Sequence, residues 1–464
     1  MGSARRLGEG LLVLAVPAAV LVPLAAFRFV DGDEGVYAYA SRLAVHGYVP
    51  YRDFFYEQAP LLPYVYGPVG ALTGESWFAL RGLSVAFALA VGLLLYRHLL
   101  GRNGRGAAVA AVAAYAGSGL VFGYLTLVKT FALSTLLVFA AFVLVEKGSW
   151  PAAGMLLGLA VDTRLLLLAV VPVFAVAALR GRRLAPFAAG IGAGLVPSLV
   201  LLAISPRAFL FDNLRYHSLK SSAGLVGDAH QKAQTGATLL GFEPTDRALG
   251  IQFGLLVVAA AASLVLSARR GRLPLGLAIA VALGVVSFLP TPSYVQYFAL
   301  TVPFLVAGAL ELRPRGPVLA LFLVAYLVPA AWAVRHFVSY DPVLRPSLGS
   351  IRDVSARVDE ASTPGERVLS SWPGYLIGTH AWALGDYTNQ FAPVAAAKIS
   401  ASDAHSYRVA SEAELEQRIR ERRVRLVVYR NWVTSPPFAR WNAALRAGGY
   451  RLVARVQTAA IYTR

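Results

Sequence analysis

This chain of 464 residues contains no cysteine, only two methionines and only 15% charged residues. Without cysteine there is neither a disulfide framework nor a thiolate metal site. Charge falls well short of the roughly 25% usual in soluble domains, and acidic charge is scarcest, with 25 Asp and Glu against 43 Lys and Arg. No internal repeat is present, and there is no low-complexity tract beyond Ala, Leu and Val filler. No small-x-small cleavage pattern precedes Asp31, so the apolar run behind Arg5 and Arg6 reads as a retained helix rather than a signal peptide. What is abundant is apolar surface: 57% hydrophobic residues and a mean hydropathy of +0.58 exclude an ordinary soluble globular protein. The net charge of +18 would suit a nucleic-acid partner, but the basic residues lie in short clusters between apolar runs and form no basic face, which excludes that reading.

A helix that crosses a bilayer needs about 17–25 apolar residues. Such runs lie near Leu11–Phe29, Trp77–Tyr96, Ala107–Phe122, Leu125–Val145, Ala185–Ile204, Ile251–Leu266, Leu273–Leu289, Val295–Leu310 and Val318–Val334. The stretch Pro151–Leu179 is too long for one helix and is interrupted by Asp162-Thr163-Arg164, so it reads as two short helices joined at the charged triplet. The expected total is about eleven spans. Arg5 and Arg6, then Arg97, Arg102 and Arg105, Lys147, Arg180 to Arg183, Arg269 to Arg272, and Arg313 with Arg315 occupy alternate connections, whereas the short loops Gly117–Tyr124 and Pro290–Tyr294 hold no Lys or Arg. The positive-inside rule then places the N-terminus in the cytoplasm. It places Asp33-Glu34, the 162–164 joint, the loop 205–249 and the C-terminal part outside. The expected location is a plasma membrane, crossed many times.

After about Arg335 the pattern changes. Ser347–Glu360 and Ser411–Arg423 have helical amphipathic spacing, and Arg367–Ser371, Val424–Tyr429, Leu452–Val456 and Ala459–Tyr462 read as short strands. The expectation is a membrane domain over residues 1–335, with external loops 31–75 and 205–249, followed by a soluble α/β domain over residues 336–464.

The most informative string follows the first run: DGDEGVYAYASRLAVHGYVPYRDFFYEQAPLLPYVYGP, Asp31 to Pro68. Carboxylates at the mouth of a membrane helix are costly, and by default they are functional candidates. Val36, Tyr39, Ala40 and Leu43 repeat at helical spacing, so Asp33 and Glu34 open a short helix whose N-terminus favours anions. Asp33 also suits a plain helix cap. The order Asp33-Glu34, Tyr37, Gly47 and then Tyr56-Glu57-Gln58-Ala59-Pro60-Leu61-Leu62 resembles the first external loop of the GT-C superfamily of membrane glycosyltransferases. It is most similar to the protein O-mannosyltransferases and the lipid A aminoarabinose transferases. Gln58 stands where the latter have Lys, and Ala59 where they have the first Pro, so the likeness is to the superfamily and not to either activity.

The resemblance implies a mostly α protein: a polytopic transmembrane helical bundle of GT-C type followed by a small extracytoplasmic α/β domain. It implies a glycosyltransferase that moves a sugar from a polyprenyl-phosphate donor to a protein, lipid or polysaccharide acceptor by single displacement. Asp33 is then the base for the acceptor hydroxyl, with Glu34 beside it and Glu57 and Gln58 as supporting groups. The acids are compatible with a divalent cation held through oxygen, and no cofactor is assigned. For the phosphate, Arg164 and Lys129 are the first cationic candidates, each within or beside an apolar segment; Arg164 paired with Asp162 is the structural alternative. Arg215, His217 and Lys220 in the long loop are spaced to share a helix face and to meet phosphate or sugar. Gln296 and Tyr297 stand at the entry to a late helix where this superfamily often has a cation, and interfacial anchoring by tyrosine is the alternative there. Two rival functions are a transporter or flippase of lipid-linked saccharides, which would be expected to show repeated halves, and a membrane-anchored binding protein, which leaves the acidic loop unexplained.

Overall fold

The structure is a computed structural model and describes residues 2–220, 224–430 and 440–464. It is mostly helical and divides into two units, each assembled from separate pieces of chain. One holds Met1–Ala26, Arg81–Pro197 and Ala223–Val338; the other holds Phe27–Leu80, Ser198–Ser222 and Ser339–Arg464.

The regular elements of the first unit, among the described residues, are all helices. Among the described residues, Trp77–Ala116, Arg247–Arg269 and Gly316–Val338 are long and apolar enough to cross a membrane, and the broken pair Leu184–Gly194 and Val196–Ile204 makes a fourth if taken as one span. Several of the other expected runs form shorter apolar helices, among them Thr130–Glu146 and Leu275–Phe288. Breaks explain the shortening. Within Trp77–Ala116, Gly104 takes a φ of 81°, so two helices meet there. The expected run Ala107–Phe122 stops at Gly117, and a new turn, Gly119–Tyr124, begins after it. Buried Gln252 bridges this gap by accepting the Gly119 N–H at 2.9 Å and donating to the carbonyls of Gly117 at 2.8 Å and Tyr326 at 2.9 Å. Backbone groups freed inside an apolar bundle need such partners. The break expected at 162–164 is present: helix Trp150–Thr163 ends, Arg164 is extended, and a 3₁₀ turn, Leu165–Val170, leads into Val171–Arg180.

Helices Trp150–Thr163 and Leu184–Gly194 pack through glycine. A Cβ on Gly154 would lie 2.1 Å from the Phe187 carbonyl oxygen, one on Gly190 2.1 Å from that of Pro151, and one on Gly194 2.3 Å from that of Met155. Two backbones come this close only where small residues recur every fourth position, the usual packing signature of membrane helices.

The second unit contains a five-stranded sheet in the order β2-β1-β3-β5-β4, formed by β1 Arg367–Ser370, β2 Trp382–Ala383, β3 Leu426–Tyr429, β4 Arg451–Val456 and β5 Ala459–Thr463. β1 runs parallel to β2 and β3, and β5 runs antiparallel to β3 and β4. The four longer strands coincide with the β-branched runs of the sequence. Helix Glu412–Arg420 opens on a Ser411/Glu414 capping box. One hydrophobic core joins all three pieces of chain in this unit. Phe55, Phe211 and Tyr216 pack with Leu369, Val427 and Trp441, and Phe211 stacks on Tyr407 with centroids 4.0 Å apart. Among its described residues, the loop 205–249 is mostly helical, with one π-helical turn at Phe211–Arg215.

Candidate active site

Helix Glu34–Val45 lies in the second unit, with ten of its residues buried. Arg42 anchors it. This buried guanidinium lies 3.1 Å from the Glu75 carboxylate, donates to the carbonyls of Leu376 and Thr379, and covers the Trp382 ring at 4.3 Å. The Tyr39 hydroxyl accepts the Ala383 N–H of β2 at 2.7 Å. The helix is therefore held along its length, and its first residues have a defined place.

At that end the two acids differ. Glu34 is fully buried and its carboxylate accepts the Asp31 N–H at 3.0 Å, so it turns back on the loop. Asp33 holds the cap position, but its side chain makes no cap hydrogen bond; its carbonyl oxygen, not its carboxylate, accepts from Val36 and Tyr37. The Asp33 N–H goes to Asp31 Oδ1 at 3.0 Å. Capping does not account for the Asp33 carboxylate, which is only half-buried.

Glu57 is buried. Its carboxylate accepts from Asn389 Nδ2, and its carbonyl oxygen lies 3.0 Å from His217 Nε2. Gln58 is half-buried, and its carbonyl accepts from the Tyr51 hydroxyl at 2.6 Å. Arg215 is exposed, and the Lys220 side chain lies outside what the structure describes. Between Arg215 and His217, Tyr216 is fully buried; burial first, then the charges of Glu57, Asp33 and Asp212, raise its pKa well above the usual tyrosine value.

Sequence reasoning passed over Asp212, although it stands in the same string as Arg215 and His217. Burial is what marks it out. It is inaccessible; Oδ2 accepts the Tyr56 N–H at 2.9 Å, and Oδ1 has no hydrogen-bond partner. Burial, with Glu57 nearby, pushes its pKa well above the carboxylate range, the Tyr56 bond opposing. The folded chain therefore favours neutral Asp212, and stability falls as pH rises from about 4, the unfolded pKa, toward the folded one. Asp212→Asn removes that dependence. Its melting temperature should exceed that of the parent by a margin that widens between pH 5 and pH 8, each pKa unit being worth about 1.4 kcal/mol. A margin that stays flat with pH would show that Asp212 is ionised in the fold.

The other candidates lie in the first unit, where four of them meet. Buried Lys129 donates to Gln296 Oε1 at 2.8 Å. The Arg164 guanidinium lies 4.3 Å from the centre of the Tyr297 ring and 5.0 Å from that of Phe131. Each residue sits at a helix interruption: Lys129 is extended just before Thr130–Glu146, Arg164 is extended after Thr163, and Gln296 and Tyr297 lie in the 3₁₀ turn Val295–Thr301. Three interrupted helices thus bring two cations, an amide and a phenol to one place. Among the described residues no group of three or more His, Asp or Glu could hold a metal ion.

No protein-family model matches the sequence, and no curated protein matches it. Solved structures do. The lipid A aminoarabinose transferase ArnT from Cupriavidus metallidurans, in its apo state, matches with a TM-score of 0.71 and 14% identity over 99% of this chain and 98% of its own. The same transferase bound to undecaprenyl phosphate matches with a TM-score of 0.67 and 14% identity, over 98% of each chain. An oligosaccharyltransferase from Archaeoglobus fulgidus, in complex with Zn and sulfate, matches with a TM-score of 0.53 and 14% identity over 97% of this chain and 73% of its own. At this identity the likeness speaks for architecture: the chain has the fold of the GT-C membrane glycosyltransferases.

Proposed function

We propose that this protein is an integral membrane glycosyltransferase that moves one sugar from a polyprenyl-phosphate donor to an acceptor hydroxyl on the outer side of the membrane. The observation that carries the reading is the Asp33 carboxylate, half-buried at the start of a rigidly held helix and not used as its cap. The acceptor oxygen forms a bond to the anomeric carbon while Asp33 takes its proton. The bond from that carbon to the phosphate oxygen breaks, and polyprenyl phosphate leaves with the electron pair and one more negative charge. Lys129 and Arg164 are the groups suited to that developing charge. Gln296 and Tyr297 hold them, and Glu57, Gln58 and His217 shape the acidic part. The bundle would cross the membrane about eleven times, with the N-terminus inside and residues 336–464 outside.

The test is release of undecaprenyl phosphate from a panel of undecaprenyl-phosphate monosaccharides by the purified protein. It is paired with short-chain, membrane-impermeant prenyl-phosphate sugars added to sealed vesicles of both orientations. Turnover is expected in right-side-out vesicles only. Turnover confined to inverted vesicles would reverse the topology, and donor translocation without release of the lipid phosphate would make the protein a transporter.

A further inference from the structure

The carbonyl of Gly32, the residue before Asp33, accepts two side-chain hydrogen bonds, from Trp372 Nε1 at 2.7 Å and from Gln390 Nε2 at 3.0 Å. Both donors are buried. Trp372 lies two residues past the end of β1. Its own carbonyl accepts from the Ser370 hydroxyl at 2.7 Å, and its ring stacks on Trp77 at an interplanar angle of 5° and meets the Tyr375 ring edge-on at 5.0 Å. The indole also fills the space beneath the first turn of Glu34–Val45, where a Cβ on Gly35 would lie 2.4 Å from it. Gln390 makes no other use of its amide, since Oε1 is buried without a hydrogen-bond partner. A leucine would fill that volume without leaving a carbonyl unsatisfied, so the one donor to Gly32 is what this residue type supplies. Its neighbour Asn389 donates to the Glu57 carboxylate. Glycine left to itself samples many backbone conformations, so the peptide that aims Asp33 needs an outside hold.

We infer that Trp372 and Gln390 are positioning residues that fix the Gly32–Asp33 peptide, and with it the direction of the Asp33 carboxylate, while Asn389 does the same for Glu57. The sheet-bearing part of the chain then sets the acids rather than merely covering them. This rests on the reading of Asp33 as the base.

The test uses Trp372→Phe, Gln390→Leu and Gln390→Glu in the full-length protein. Hydrogen exchange at Gly32–Gly35 is followed beside kcat and KM on an undecaprenyl-phosphate sugar that the parent turns over. Faster exchange there is expected in Trp372→Phe and Gln390→Leu, with kcat falling by roughly 10–100-fold, the scale of a misplacement of about 1 Å, and KM within about twofold. Gln390→Glu has a donor only when protonated, so its kcat relative to the parent should recover as pH falls through the glutamate range. Unchanged exchange overturns the inference whatever the activity. Faster exchange with normal kcat overturns it too, as does raised KM at constant kcat, which would make these residues substrate contacts. A parent that releases lipid phosphate from no donor, with exchange still faster in the variants, overturns the proposed reaction and leaves the hold on Gly32 standing.

Discussion

Asp33→Asn is expected to lower donor turnover by roughly 10²–10⁴-fold, the usual contribution of a general base, with expression and melting temperature unchanged. The structure makes the change clean. Asp33 holds the cap position without using its side chain as the cap, so the amide removes no helix-stabilising bond. The loop is instead fixed by backbone and neighbouring groups: Glu34 on the Asp31 N–H, Asp31 on the Asp33 N–H, and the two donors on Gly32. An asparagine of the same shape keeps these loop bonds in place and cannot take a proton. A purified variant with parental turnover would remove Asp33 from the chemistry. Glu34→Gln makes a contrasting control, because the buried Glu34 carboxylate is already engaged with the loop.

Arg164→Lys should weaken binding of undecaprenyl phosphate by roughly 10–100-fold, about the value of one charge-assisted hydrogen bond. The Arg164 guanidinium lies over the Tyr297 and Phe131 rings, and a guanidinium so placed can offer two donors to a phosphate, whereas an ammonium gives a single point charge and stacks poorly. Asp162→Asn should have a smaller effect. If Arg164→Lys binds the lipid phosphate normally and Asp162→Asn lowers the melting temperature instead, Arg164 is structural and the phosphate contact is to be sought at Arg215 and Lys220.

Lys129 and Arg164 stood out in the sequence because charge amid apolar runs is expensive, whereas Gln296 and Tyr297 stood out only through the superfamily resemblance. Their meeting was not legible, because it depends on where three helices break, and a broken helix looks like a continuous one in hydropathy. The break at 162–164 was readable because it carries charge; the one at Gly117 was not, since its compensating partner, Gln252, lies 135 residues away. The strands rich in β-branched residues were legible, whereas β2, two residues long, offers no pattern. The acidic loop was the clearest part of the chain. What holds it in place was hidden, because a backbone carbonyl such as that of Gly32 has no signature, and Trp372, Asn389 and Gln390 look like ordinary residues until they are seen to reach it.

The hold on Gly32 also carries a consequence for biosynthesis. Gly32 and Gln390 are 358 residues apart. At the usual rate of synthesis, about 5–20 residues per second, the acidic loop emerges tens of seconds before the side chains that steady it. For that interval the chain carries its carboxylates without their support. Competence thus arrives late and all at once, when the ribosome has passed residue 390 and the sheet has closed. Under the proposed function, a product cut short before that point would keep most of its apolar helices yet have no aimed base, and an aborted chain would be inert toward lipid-linked sugar rather than wasteful of it.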